Sequence, residues 1–195
     1  MERLSQQIKF ICELDKLKRV QRQTWLMDGR RQENSAEHSW HITVMAMVLA
    51  EYAPARELDL ARVVQMLLVH DIVEIDAGDT FCYDTAAVAY QAADEERAAE
   101  RLFGLLPEDQ AEYFRGLWNE FEGHETSESL LANALDRLQP ILNNYYSGGK
   151  SWQIHGIAKD QVRQRNRIMG DGAPELWAFV GDLLQQAVDR GMLKD

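Results

Sequence analysis

Apolar residues recur at helical spacing along most of this chain, and this periodicity constrains the fold more than any other feature of the sequence. Only four prolines interrupt 195 residues, and no stretch sustains the alternation typical of strands. We therefore expect an all-α fold, a single-domain helical bundle. The spacing predicts a loop over 19–34, a second loop over 75–85, and helices over 4–17, 35–52, 59–70, 85–103, 107–121, 127–146, 156–169 and 174–191.

The composition is that of a soluble globular domain. Hydrophobic residues make up 46% of the chain and charged residues 27%, which suffices for one domain with a hydrophobic core. No apolar run approaches the roughly 20 residues that cross a bilayer, and Met1–Gln7 lacks the apolar core of a signal peptide. Two cysteines, Cys12 and Cys82, are too few for a disulfide framework. We expect a cytoplasmic protein without membrane association.

The net charge of −11 restricts the class of ligand. It argues against binding of a nucleic-acid polymer, because neutralising a phosphate backbone requires a basic face. A small phosphorylated substrate remains compatible with an acidic protein. A metal ion and one or two local arginines can create positive potential inside a cavity even when the net charge is negative.

An adjacent histidine and aspartate, His70 and Asp71, end the apolar segment 63–69. Burial of a charged pair costs free energy unless a partner satisfies it. A divalent cation would do so, because imidazole and carboxylate are both good ligands for such ions. Taken alone, however, the dipeptide is better explained as a capping aspartate beside an incidental histidine.

Two other positions strengthen the metal hypothesis. His38 lies in the first turn of the helix predicted from residue 35, and Asp136 stands alone in the apolar segment 134–140. With His70 and Asp71 they supply two imidazoles and two carboxylates that surface solvation explains poorly. For Asp136, an ion pair with the neighbouring Arg137 is the structural alternative.

These residues, with segments 17–25, 33–38, 70–79 and 134–140, resemble the HD-domain metal-dependent phosphohydrolases, particularly the branch that contains the 5′-deoxynucleotidases. The resemblance implies one HD domain over 1–195, with a metal-site core over about 35–145 and C-terminal helices over 156–191 packed on it. It also implies a homodimer. One divalent ion (Mn²⁺, Co²⁺, Mg²⁺ or Fe²⁺) would be held by His38, His70, Asp71 and Asp136, in a shell with room for water.

Two further carboxylates are predicted to be catalytic. Family members place the equivalents of Glu74 and Asp79 in the active site. Glu74 follows Asp71 by three residues, so on a continuing helix it projects to the same side. There it could orient the attacking water or take its proton. Asp79 could contact a sugar hydroxyl or assist protonation of the leaving group.

Arg22 and Trp25 are the candidate substrate-binding residues of the segment before the first histidine. A guanidinium group suits bidentate recognition of phosphate, and an indole offers a flat apolar wall for a sugar or base. An indole close to the sugar could also exclude a 2′-hydroxyl by its bulk, so we expect ribonucleotides to be disfavoured. Three other arginines, Arg19, Arg30 and Arg31, compete with Arg22 for the phosphate.

The predicted reaction is metal-assisted hydrolysis of deoxyribonucleoside 5′-monophosphates to nucleoside and phosphate, with the base not specified. One alternative is an HD phosphohydrolase that acts on another small phosphate or on a nucleotide diester. A second is a sensor that binds nucleotide or metal without turnover. The presence of Glu74 and Asp79 speaks against the sensor, which has no chemical need for them.

Overall fold

The computed structural model describes residues 1–55, 57–83 and 85–195, excluding the side chains of 85–89. Within these ranges the chain is predominantly helical, which confirms the predicted fold class, and one small sheet accompanies the helices. Short 3-10 helices cover Asp15–Arg19, Ala50–Tyr52 and His70–Val73. The other elements are α1 (Glu2–Leu14), β1 (Gln21–Trp25), β2 (Gln32–Asn34), α2 (Ser35–Leu49), α3 (Leu60–Val69), α4 (Glu74–Ala77), α5 (Thr85–Phe103), α6 (Glu108–Gly123), α7 (Ser127–Tyr146), α8 (Lys150–His155), α9 (Lys159–Arg165), α10 (Met169–Gly172) and α11 (Pro174–Asp189).

Helix α7 lies at the centre of the bundle and contacts α2, α3, α6, α10 and α11. Its leucines at helical spacing, Leu131, Leu135 and Leu138, are buried among these neighbours. Helix α3 packs on both α2 and α7, in agreement with the central position that its apolar sequence predicts. Helices α2 and α7, which carry candidate ligands, and α3, which directly precedes two more, therefore pack together in one core.

The prediction of a loop over 19–34 is wrong, because β1 and β2 form an antiparallel hairpin there. Gln21 pairs with Asn34 and Trp25 with Gln32, and Gly29 in the turn adopts φ of 67°, which favours glycine. The strands are short and largely polar, so they carry no apolar alternation that would reveal them. The hairpin matters for the site because it turns Arg22 into the protein.

Helix α2 begins at Ser35, the first residue of the predicted helix. Asn34 is its N-cap, because its side chain accepts a hydrogen bond from the backbone N–H of Glu37 at 3.0 Å. The Glu37 carboxylate accepts one from the backbone N–H of Asn34 at 3.3 Å, completing a capping box. Ser35 therefore keeps its hydroxyl for a tertiary contact.

The chain around the His–Asp pair is more helical than predicted. Helix α3 ends at Val69 and continues as the 3-10 helix and then α4, so the loop begins at Gly78 rather than at residue 75. The C-terminal prediction also needs correction. The segment 156–169 is divided between α9 and α10, and α8 precedes it. No helix in the described ranges is long and apolar enough to cross a membrane.

Candidate metal centre and active site

The four predicted metal ligands converge from three elements. His38 comes from α2, His70 and Asp71 from the 3-10 helix after α3, and Asp136 from α7. His38 Nε2 lies 3.0 Å from Asp136 Oδ1 and 4.0 Å from Asp71 Oδ2. His70 Nε2 lies 2.9 Å from Asp71 Oδ1 and 3.9 Å from Asp136 Oδ1. His38, His70 and Asp71 each offer a ligand atom within 4.8 Å of the others, close enough to share one ion. Asp136 lies beside this group, within 3.0 Å of His38 Nε2.

Hydrogen bonds on the far side of each ring prepare the imidazoles for metal binding. His38 Nδ1 lies 3.1 Å from the side-chain oxygen of Gln139, and His70 Nδ1 lies 3.0 Å from the carbonyl oxygen of Leu67. If each Nδ1–H donates to its oxygen, both Nε2 lone pairs face the centre. His70 Nε2 is buried and has no hydrogen bond of acceptable geometry. Two imidazole nitrogens and two carboxylates therefore fit a divalent cation.

Negative charge dominates this centre. Burial acts to lower the pKa of His70, but the Asp71 carboxylate and the other acids outweigh it and raise that pKa to about 9. Burial likewise opposes ionisation of Asp71, yet His70 and Arg22 hold its pKa at about 2. The pKa of Asp136 is also lowered, against its burial, mainly through the hydrogen bond with His38. A divalent cation would offset this charge and keep the imidazoles neutral.

A buried polar chain supports His38 and was not predicted from the sequence. Gln139 accepts from His38 and donates through Nε2 to Glu33 Oε1 at 2.5 Å. Asn143, one turn further along α7, lies 3.4 Å from the same oxygen. Glu33 and Gln139 are almost fully buried. The sequence signal that could have found this chain is the spacing of Gln139 and Asn143, polar residues that follow Asp136 at intervals of about one turn on the buried face of α7.

Arg22 reaches the centre, as predicted, but it contacts acids of the protein itself. Its Nη1 lies 2.9 Å from Asp71 Oδ2, 3.6 Å from Asp79 Oδ1 and 3.8 Å from Glu74 Oε1, and its Nε lies 3.8 Å from Glu33 Oε2. Burial opposes its charge, but these carboxylates raise the Arg22 pKa above its ordinary value. The guanidinium therefore neutralises part of a carboxylate cluster.

Glu74 and Asp79 both lie beside the centre with altered acidity. The Ser35 hydroxyl donates to Glu74 Oε2 at 2.5 Å, and Glu74 is 6% exposed. Burial, then the charge of Asp71, raises the pKa of Glu74 well above its usual value. Burial also raises the pKa of Asp79, which follows Gly78 at a turn with φ of 76°. Two carboxyl groups whose protonated forms are favoured by burial thus flank the ligands.

A cavity of about 380 Å³ opens on the centre. Arg22, His70, Asp71, Glu74, Asp79 and Asp136 line it. Four aromatic residues that the sequence did not single out for this purpose line it as well: Phe81, Tyr83, Phe121 and Trp152. Other lining residues absent from the predicted site include Glu95, Glu122, Arg137 and Arg165. They come from α5, α6, α7 and α9, and only the tertiary fold brings them together.

Trp25 and the competing arginines are not among the described residues that line this cavity. The Lys150 ammonium lies 3.4 Å from the centre of the Trp25 ring, and it also donates to the Gly29 carbonyl at 2.7 Å. The indole therefore joins the hairpin to α8. Arg31 pairs with Glu37 at 2.7 Å, while the Arg30 side chain is 86% exposed.

Comparisons with known proteins agree with this geometry. The family described as HD domain matches residues 14–177. The crystal structure of the predicted metal-dependent phosphohydrolase from Magnetospirillum magnetotacticum MS-1 is similar with a TM-score of 0.95 and 48% identity, over 100% of this chain and 97% of that one.

Two curated relatives are 5′-deoxynucleotidases. The Erwinia tasmaniensis enzyme is 31% identical over 92% of this chain and 98% of its own length. Human 5′-deoxynucleotidase HDDC2 is 32% identical over 69% of this chain, and the match spans 65% of the human protein, slightly under two thirds of its length. The match to the HD domain covers most of the sequence, including every candidate ligand. The chain belongs to the HD domain family.

Proposed function

We propose that this protein is a metal-dependent phosphohydrolase that converts deoxyribonucleoside 5′-monophosphates to deoxynucleoside and phosphate. The observation that carries the proposal is the convergence of His38, His70, Asp71 and Asp136, in which each Nε2 atom lies within 3.0 Å of a carboxylate oxygen. The similarity to proteins named 5′-deoxynucleotidase supports the choice of substrate.

The chemistry requires a bound divalent cation, which would act as a Lewis acid toward the phosphoryl group and make water more acidic. His38, His70, Asp71 and Asp136 are the residues that would hold it. Around them, the protein must supply a base for the attacking water and an acid for the leaving 5′-oxygen.

Glu74 is the proposed base. The Ser35 hydroxyl fixes one of its oxygens, so the other oxygen is free to orient a water molecule. The charge of Asp71 contributes to the raised pKa of Glu74. When Asp71 binds a cation, that contribution is offset and Glu74 can ionise at a lower pH. The carboxylate then takes the proton that water loses on attack at phosphorus.

Asp79 is the proposed partner of the nucleoside. Burial favours its protonated form, so it can give a proton to the leaving 5′-oxygen or hydrogen-bond to a sugar hydroxyl. Arg22 lies between Asp79 and Asp71 and holds both in place. Fixed orientation of this kind lowers the cost of reaching the transition state.

The cavity supports a small substrate. Its volume of about 380 Å³ falls in the range of small-molecule pockets, roughly 300–1,000 Å³. Phe81, Tyr83 and Trp152 supply apolar surface for a sugar or base beside the acidic centre. A net charge of −11 also disfavours a nucleic-acid polymer as the substrate.

A phosphate-release assay tests the proposal directly. Protein loaded with Mn²⁺ or Co²⁺ is incubated separately with deoxyribonucleoside and ribonucleoside 5′-monophosphates, sugar phosphates and nucleotide diesters. We expect release from deoxyribonucleotides, none after chelation, and none from Asp71→Ala. Turnover of diesters or sugar phosphates alone would establish the alternative phosphohydrolase. Metal binding without any turnover would support the sensor.

We further propose that the protein is a cytoplasmic homodimer. Its two cysteines are unpaired, as a reducing compartment would keep them. An apolar surface for a second copy is available on one side of α2, where Trp40, Val44, Met47 and Val48 are exposed, beside Leu68 of α3. Light scattering on the wild type should give twice the chain mass, and Trp40→Glu should shift it towards the monomer. An unchanged dimer would place the interface elsewhere.

A further inference from the structure

Arg137 occupies a position in the cavity wall that neither the predicted ligand set nor the proposed mechanism uses. It follows Asp136 on α7, and its side chain is 20% exposed. Its Nε lies 3.8 Å from Asp136 Oδ2, which is too long for a hydrogen bond. The same Nε is buried without a hydrogen-bond partner among the described residues. A buried N–H donor without a partner favours a ligand that can accept its hydrogen bond, and an anion in the cavity would do so.

Arg165, at the end of α9, lines the same cavity and is exposed at its mouth. The positive charges of Arg137 and Arg165 shift the pKa values of the same neighbouring residues. Burial raises the pKa of Cys82 and of Tyr83, and the charges of Arg165 and Arg137 oppose that rise at both residues. Burial lowers the pKa of His124, and both arginines lower it further. Arg137 and Arg165 therefore make one end of the cavity positive.

Charge in the cavity also favours a role for these cations. Six carboxyl groups line it together with three arginines, and the formal sum with every group ionised is −3; the carboxyl groups are those of Asp71, Glu74, Asp79, Glu95, Glu122 and Asp136. A divalent ion would reduce the sum to −1. Without Arg137 and Arg165 the sum with the ion bound would be −3, so these two arginines reduce the repulsion of a phosphate dianion.

We propose that Arg137 binds the phosphoryl oxygens of the substrate, with Arg165 extending this anion-binding subsite to the cavity mouth. The proposal rests on the proposed function and specifies which cation of that site recognises phosphate. It adds a second guanidinium to the one predicted from the sequence, Arg22, whose Nη1 donates to Asp71 at 2.9 Å. A guanidinium is suited to the role, because its donors match two phosphoryl oxygens at once.

Position along α7 makes the contact feasible. Asp136 is a proposed metal ligand, and Arg137 Nε lies 3.8 Å from Asp136 Oδ2. A phosphoryl group that contacts a cation at Asp136 would therefore lie within the reach of the Arg137 side chain. Because adjacent residues on one helix turn carry both groups, the distance between metal and guanidinium is restricted by the backbone.

Binding of inorganic phosphate to the Mn²⁺-loaded protein tests the subsite without requiring turnover. By calorimetry, Arg137→Gln should weaken phosphate affinity by roughly 10- to 100-fold, the scale for loss of a charge-assisted pair. Arg165→Gln should weaken it by about threefold, as expected for a more exposed charge. The matched control is Arg163→Gln on the same helix, whose guanidinium lies over Trp177 and should leave affinity within about twofold. Metal content is measured for every variant.

Chemical modification of the wild type provides a second measurement that does not depend on a folded variant. Phenylglyoxal should modify Arg137 of the Mn²⁺-loaded protein, and inorganic phosphate should protect Arg137 but not Arg163, as read by mass spectrometry. The subsite would be overturned if the wild type showed no detectable affinity for phosphate, or if Arg137→Gln kept the wild-type affinity at full metal content. Absence of protection at Arg137 by phosphate would also overturn it. Phosphate binding through Arg137 without hydrolysis of any deoxyribonucleotide would instead refute the proposed function and leave the subsite standing.

Discussion

The side-chain oxygen of Gln139 lies 3.1 Å from His38 Nδ1, so a residue one turn beyond Asp136 orients a ligand on another helix. Glu33 fixes the amide in turn, because it accepts from Gln139 Nε2 at 2.5 Å. The amide group cannot rotate without breaking that bond. The His38 imidazole is thereby held with Nε2 toward the centre.

Gln139→Leu removes the hydrogen bonds to His38 and Glu33, and a third contact with His41 at 3.3 Å, while keeping a side chain of similar size. We expect affinity for Mn²⁺ to fall about 10- to 100-fold, the usual effect of losing a partner that orients a metal-bound histidine. Calorimetric titration measures this, with the exposed Gln185→Leu as control. Unchanged affinity in Gln139→Leu would mean that packing alone orients His38.

The second prediction concerns the composition of the metal centre. Elemental analysis should give one divalent ion per chain. Asp71→Ala and Asp136→Asn should each abolish binding at micromolar metal and abolish turnover, because each removes a charged ligand. Asp76→Asn is the control, since Asp76 lies on the same short segment but pairs with Arg101. Full metal affinity in Asp136→Asn would leave Asp136 as only an ion-pair partner of Arg137.

The third prediction separates proton transfer from metal retention. Glu74→Gln should keep the metal but lose about 10²- to 10⁴-fold in kcat, the range for a positioned acid–base group. Ser35→Ala should lower kcat less, by roughly tenfold, because it frees the Glu74 carboxylate without removing it. Metal analysis and initial rates on one preparation provide both readings. A normal rate in Glu74→Gln would assign the base to another group.

Helix packing gives the fourth prediction. A Cβ added to Gly172 would lie 2.0 Å from the Leu130 carbonyl oxygen and 3.2 Å from Ala134 Cβ, where α10 crosses α7. Gly172→Ala should therefore destabilise the fold by about 1–3 kcal/mol. Gly116 on α6 has no such neighbour within 4 Å, so Gly116→Ala should stabilise by up to about 1 kcal/mol. Urea unfolding compares the two, and equal effects would contradict the close approach.

The bounds of the helices were best predicted where local sequence signals were strong. The predicted bounds of α5 and α7 agree with the structure, because apolar periodicity runs their full length. For α7, the Thr126 cap at one end and the glycine pair Gly148 and Gly149 at the other set the limits. The four candidate ligands were proposed because histidine and aspartate are conspicuous within apolar helices, and the structure brings them close together.

Contacts between residues that are far apart in the sequence could not be predicted in this way. The hairpin is polar and short, so its pairing is specified by backbone hydrogen bonds rather than by a side-chain pattern. Gln139 meets His38 because α2 packs on α7, and the two residues are 101 positions apart. Arg22 lines the cavity, but its ion pairs could not be predicted, because the acids that surround it come from separate parts of the chain.

Trp25 yields the last prediction, which concerns sugar selectivity. The sequence suggested that its indole excludes a 2′-hydroxyl, whereas the ring lies against Lys150, whose Nζ is 3.4 Å from the ring centre. Trp25→Ala should therefore change the ratio of kcat/KM for dAMP and AMP by less than about twofold, although kcat itself falls if Arg22 shifts with the hairpin. Lys150→Met removes the same contact from the other side and should give the same ratio. A rise of tenfold or more in relative AMP turnover for Trp25→Ala alone would restore Trp25 as the wall that excludes ribonucleotides, because removal of a steric barrier is worth about that much.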